Sequence, residues 1–195
     1  MSIAASRVLR AAVVRAAKTS GRESNVWVVM AFSFPDVAFE FNPTRSAKPA
    51  LAFLQDYWNA KRGTRAMPSR ADINPAEMKA HIRAIVLVDT LPGFADFRYR
   101  MIGSDVTEHM LSDATGKTLR EAFAPYGEAA VEGAIAGYTH IARNKVILRI
   151  YGSAAWLHQP HLDFDGLHFP LSDDGENVNM ILSAVTFAPR AGIKG

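Results

Sequence analysis

From Leu51 onward the hydrophobic residues keep two rhythms in turn, and each change of rhythm marks an element boundary. Leu51, Leu54, Tyr57 and Trp58 fall at i, i+3, i+6 and i+7, which predicts an amphipathic helix opened by Pro49 and stopped by Gly63. Asn74 before Pro75 is an N-cap followed by a first-turn proline, so a short helix runs from there through Glu77 and Met78 toward Ile82. The rhythm then drops to a period of two. Ile85 to Leu91 is β-branched and apolar, Pro92-Gly93 interrupts, and Phe97, Tyr99 and Met101 alternate with Arg98 and Arg100, predicting two strands of a hairpin. Arg98 and Arg100 suit ion pairs with acids on the neighbouring strand.

Helical spacing returns after Gly103. Ser104 or Asp105 caps a helix through Met110 and Leu111, and a turn at residues 115–118 leads to a short helix over Leu119 to Phe123. After Pro125-Tyr126-Gly127 a longer helix extends from Glu128 toward Arg143, and three strands follow: Val146 to Tyr151, His161 to Leu171 and Val178 to Phe187. The order predicts an α+β fold, a five-stranded antiparallel sheet with helices on one face, plus an N-terminal helical extension. Residues 1–46 are expected to be a basic, partly flexible extension, 47–189 the folded domain with its flanking helix, and 190–195 a tail.

Composition narrows the chemistry. A chain of 195 residues, 49% hydrophobic and 21% charged, is that of one globular domain. The absence of cysteine removes disulfides, thiolate metal sites, cysteine nucleophiles and flavin photochemistry that adds a cysteine. The net charge of +3 is misleading, because Arg7, Arg10, Arg15, Lys18 and Arg22 leave 17 bases against 19 acids in the remaining residues. A mildly acidic folded part is not a nucleic-acid surface. The five bases share one helical face opposite Leu9, Ala12, Val13 and Ala16, which suits either a solvated tail or weak contact of residues 1–22 with a membrane surface. Val26 to Phe34 is nine residues, against about 20 for a membrane span, so an added strand or buried linker is expected there; the expected location is cytoplasmic.

Several strings resemble the PAS domain superfamily, and within it single-domain PAS proteins of alphaproteobacteria: Leu54 to Gly63 (LQDYWNAKRG), Met67 to Glu77 (MPSRADINPAE), Phe97 to Val106 (FRYRMIGSDV), Asp113 to Leu119 (DATGKTL) and Pro170 to Leu182 (PLSDDGENVNMIL). The resemblance covers Leu51 to Pro189, and the basic helix and Val26 to Phe41 stand outside it. It implies a bacterial sensory module that is not an enzyme, and nucleophile elbows, H-E-x-x-H and P-loops are absent. Two versions of such a module remain: one binding a small molecule, and a protein-interaction module with a filled core. With only Pro189 to Gly195 after the last strand, signalling is expected in trans through a partner protein or by dimerisation, with Tyr57 and Trp58 of the flanking helix as interface candidates.

A ligand pocket in such a fold lies between the sheet and the central helices. Its candidate lining is Phe97, Tyr99 and Met101 on one strand, Ile147 or Leu148 on another, Met180 and Leu182 on the last, and Tyr138 and Ile141 on the long helix. The same residues at period two also describe a packed core, so no cofactor is assigned. His140 stands where haem-binding members of the superfamily supply an iron ligand, which is the one pointer to haem. The densest polar run is His158 to His168, where His161, Asp163 and Asp165 share a strand face opposite Leu162 and Phe164. Those three are the weak metal candidates, and with them goes a remote reading as a small metal-dependent enzyme. The ordinary use of that face is contact with solvent.

Overall fold

The computed structural model describes residues 36–191. In chain order the elements are β1 (Val37–Phe41), α1 (Pro49–Arg62), β2 (Ile85–Thr90), β3 (Phe97–Ile102), α2 (Ser104–Thr107), α3 (Leu119–Phe123), α4 (Glu128–Asn144), β4 (Leu148–Ser153), β5 (Leu162–Leu171) and β6 (Met180–Pro189), with 3₁₀ turns at Pro75–Ala84 and Ala154–Leu157 among the connections. Six strands, one more than expected, form the sheet in the order β1-β4-β5-β6-β2-β3, and every neighbouring pair is antiparallel. The added strand comes from the segment assigned to the extension. Val37, Phe39 and Phe41 alternate with Ala38 and Glu40, and the open edge of β4 accepts them. Gly152 stands opposite Val37 with a positive φ of 139°, and a Cβ there would collide with the Asp36 carbonyl. Residues 1–22, Val26 to Phe34 and 192–195 lie outside the described residues.

Side-chain caps fix the starts at Pro75 and Leu119, whereas α2, where Ser104 or Asp105 was the expected cap, follows Gly103 with no side-chain cap and Asp105 pairs with Arg83 instead. The Asn74 side chain accepts from the Ala76 amide at 3.0 Å, and Thr118 and Glu121 form a reciprocal box in which each side chain accepts from the other's backbone N–H. The helix expected to reach Leu111 ends at Thr107 instead. Beyond it the amides of His109 and Met110 bond back only three residues, and the Leu111 amide turns to the Tyr126 hydroxyl at 2.8 Å. Leu111 is 59% exposed, so no packing holds it in a helix.

The sheet is covered on both faces. α3 and α4 lie over one, and α1 crosses the other, burying Leu51, Leu54 and Trp58. The Trp58 ring sits 5.7 Å from that of Phe169, and its indole N–H donates to the Pro170 carbonyl at 2.9 Å. The Tyr57 hydroxyl accepts from the Asn74 amide at 2.9 Å. These two interface candidates are therefore interior, 9% and 3% exposed, because α1 spends its apolar face on its own sheet. Arg100 does pair with Asp89 on the adjacent strand, at 2.9 Å.

Candidate ligand cavity

Under α3 and α4 the sheet presents a row formed by Phe39, Ile150, Gly166 and Val185, one from each of β1, β4, β5 and β6. A glycine among large side chains leaves a notch in that floor. The side chain missing at Gly166 also leaves room for His168, since a Cβ there would stand 3.0 Å from its Nε2. Opposite the notch α4 presents Ala130, Gly133 and Ala134, which keep the roof thin. Between floor and roof lies a cavity of about 120 Å³. Its walls mix aliphatic side chains such as Ile150, Leu157 and Val185 with aromatic ones: Phe39, Phe123, Trp156, Phe164 and Phe187 all reach it, and Trp156 stacks on Phe123 with ring centres 5.6 Å apart.

No Lys, Arg, Asp or Glu lines this space, and its polar side-chain atoms come from Tyr99, Tyr138, Trp156 and His168. His168 is 6% exposed; its Nδ1 lies 2.8 Å from the Ser183 hydroxyl, and no hydrogen bond to Nε2 is made among the described residues. Burial pushes the imidazole down to about 4, against a smaller opposing pull from Asp165, so the ring is neutral at physiological pH. Burial pushes the Tyr138 hydroxyl up to about 12, with Ser183 beside it partly offsetting the rise. Burial also raises Tyr99 well above the ordinary tyrosine range, helped by Tyr138 and Tyr126, so its hydroxyl remains a proton donor.

His168 makes stability depend on pH with a definite sign. Its folded pKa lies below its unfolded value of 6.5, so the unfolded chain takes up the proton first and stability is lost as pH falls from 6.5 toward 4. The expected loss between pH 7 and pH 5 is about 2 kcal/mol from this group. Urea unfolding at stepped pH should show that slope, and His168→Gln should remove most of it. Equal slopes in the two proteins would contradict the assignment.

Of the residues expected to line a pocket, Tyr99 and Tyr138 reach the cavity. Phe97, Ile141 and Leu148 are fully buried on the same side of the sheet and pack beside it, and Met101 is half-buried at the edge strand. Met180 and Leu182 are on the other face. Pairing of His168 with Ser183 puts odd-numbered β6 residues toward the cavity, which sends Leu182, beside Phe169, under α1. The even-numbered β5 residues Phe164, Gly166 and His168, the β1 residue Phe39 and the turn residue Trp156 were not among the candidates. Alternation along β5 was the available signal for the first three.

His140 packs 4.5 Å from the Phe41 ring at the outer edge of α4 and is not part of the cavity wall. The two carboxylates among the metal candidates face cations, whereas His161 is tied through its backbone. Arg149 donates to both carboxylate oxygens of Asp165, at 2.9 and 2.8 Å, and Lys48 reaches the same group at 3.1 Å. Asp163 faces Arg190 at 3.7 Å, and the His161 carbonyl accepts from the Arg190 amide at 2.8 Å. Among the described residues no three His, Asp or Glu side chains are grouped to hold a metal ion, and no helix is long and apolar enough to cross a membrane. The face expected to be solvated thus holds an ion pair beneath the start of α1. A family model described as PAS domain matches residues 46–186. Neither a curated protein nor a solved structure matches the chain.

Proposed function

The chain belongs to the PAS domain family, and from that premise we propose that it is a sensory module that takes a small molecule between its sheet and α4 and passes occupancy to a partner protein or a second copy of itself. The observation that carries the reading is the cavity of about 120 Å³ with apolar walls and the buried polar groups of Tyr99 and His168. An apolar cavity with a few placed polar groups is the usual form of a binding site, whereas a module that works through its surface alone gains nothing from an unfilled core. No catalytic step is assigned, and a non-enzymatic role accords with the family.

Native mass spectrometry of gently purified protein, set against the denatured mass, tests this. A small extra mass that leaves on denaturation is the expected result, and adding that molecule at about 100 times its Kd should raise the melting temperature by roughly 5 °C or more. A bare mass, together with no thermal shift across a panel of small apolar molecules, would overturn the reading in favour of a protein-interaction module.

A further inference from the structure

We infer that the cavity takes a neutral, single-ring aromatic molecule bearing a hydroxyl group, seated over Gly166 with that hydroxyl on Nε2 of His168. The inference rests on the sensory reading above and adds the ligand's class. Size comes first. An apolar cavity of about 150 Å³ admits benzene, and drug-sized ligands occupy pockets of roughly 300 Å³ or more, so a cavity of about 120 Å³ suits one ring. Charge comes next. With no Lys, Arg, Asp or Glu in the lining, a carboxylate or ammonium would be buried without a counter-ion.

The walls then select for shape. Among aliphatic neighbours such as Ile150, Leu157 and Val185, the rings of Phe39, Phe164 and Phe187 from the floor and of Phe123 and Trp156 from the other side offer faces and edges on which a flat ring gains aromatic contacts that a branched aliphatic of equal volume does not. The polar anchor is already built. His168 Nδ1 is held by the Ser183 hydroxyl at 2.8 Å, which leaves Nε2, as lone pair or as N–H according to the tautomer, at the side of the Gly166 notch. A hydroxyl on the ring both donates and accepts, so it pairs with Nε2 in either tautomer, while a hydrocarbon offers it nothing. Tyr99, on β3, is separated from β5 by two intervening strands and serves a different part of the cavity.

The test is calorimetric titration of the full chain with phenol, toluene and benzoate at neutral pH. Phenol and toluene should bind and benzoate should not. His168→Leu should lower the ratio of phenol to toluene affinity by about tenfold, the net worth of one hydrogen bond. Gly166→Ala, whose Cβ fills the notch and presses on Nε2 at 3.0 Å, should reduce phenol affinity by tenfold or more and lower the melting temperature of the free protein by a few degrees at most. Tyr99→Phe should leave phenol affinity within about twofold. Benzoate binding as tightly as phenol, an unchanged ratio in His168→Leu, or full phenol affinity in Gly166→Ala would overturn the inference. If no probe binds and the native spectrum still carries a small molecule, the ligand class fails and the sensory reading stands; if the spectrum is also bare, both fail.

Discussion

Trp58→Ala is expected to lower the unfolding free energy by about 4 kcal/mol, and the melting temperature by on the order of 10 °C. The indole is 3% exposed, lies against Phe169 and donates to the Pro170 carbonyl at 2.9 Å. Truncation would leave a cavity between α1 and β5 and strip that carbonyl of its side-chain donor, and the two losses add. Urea unfolding followed by circular dichroism measures the change. The loss should be the same at low and high protein concentration, because the described residues of its own chain already bury the ring. A loss below about 1 kcal/mol, or one that grows on dilution, would mean that the ring packs between chains.

Where local chemistry sets an element, the sequence was sufficient. Pro49, Asn74-Pro75 and Thr118 with Glu121 start helices at the expected places, and the period-two runs after Ile85, in the 146–151 region and around residues 161–187 are strands within two residues of their expected ends. What escaped depended on tertiary partners. The alternation of Val37, Phe39 and Phe41 is only five residues long, and pairing with β4 is what makes it a strand. Leu111 fits a helical pattern but has no surface to pack on. An amphipathic helix such as α1 reads the same whether its apolar stripe meets another chain or its own sheet, so Trp58 and Tyr57 were open to either use.

The cavity was half legible for a related reason. Alternation says which residues share a face of one strand, yet not which face of the next strand is continuous with it. That relation is set by register, and the pairing of His168 with Ser183 places Met180 and Leu182 away from the cavity. The same alternation puts His168 with Phe164 and Gly166. What it does not reveal is that a glycine and a thin stretch of α4 meet across the interior, since a void is a property of two elements at once.

The opposite face of β5 yields the second large effect. Arg149→Met should destabilise the protein by roughly 3 to 4 kcal/mol at neutral pH. Asp165 is 2% exposed, and burial is the strongest influence on its carboxyl, pushing the pKa up; hydrogen bonds from Arg149 and Lys48 outweigh it and hold the group below the ordinary carboxylate range. The native ion pair therefore contributes stability that is present above the unfolded pKa of 3.8 and is lost as pH falls through the lower folded value. Removing the guanidinium reverses the balance, because Lys48 alone faces the desolvated carboxylate, and Glu40 also loses its Arg149 contact at 3.4 Å. The deficit of Arg149→Met should accordingly be largest near pH 7 and narrow as the solution is acidified and Asp165 takes up a proton. Adding Asp165→Asn should recover part of the loss, since the uncompensated charge goes with it. Urea unfolding of wild type, both single variants and the double variant at pH 7 and pH 5 reads all of this. An Arg149→Met protein within about 0.5 kcal/mol of wild type would show that water, rather than the guanidinium, satisfies Asp165.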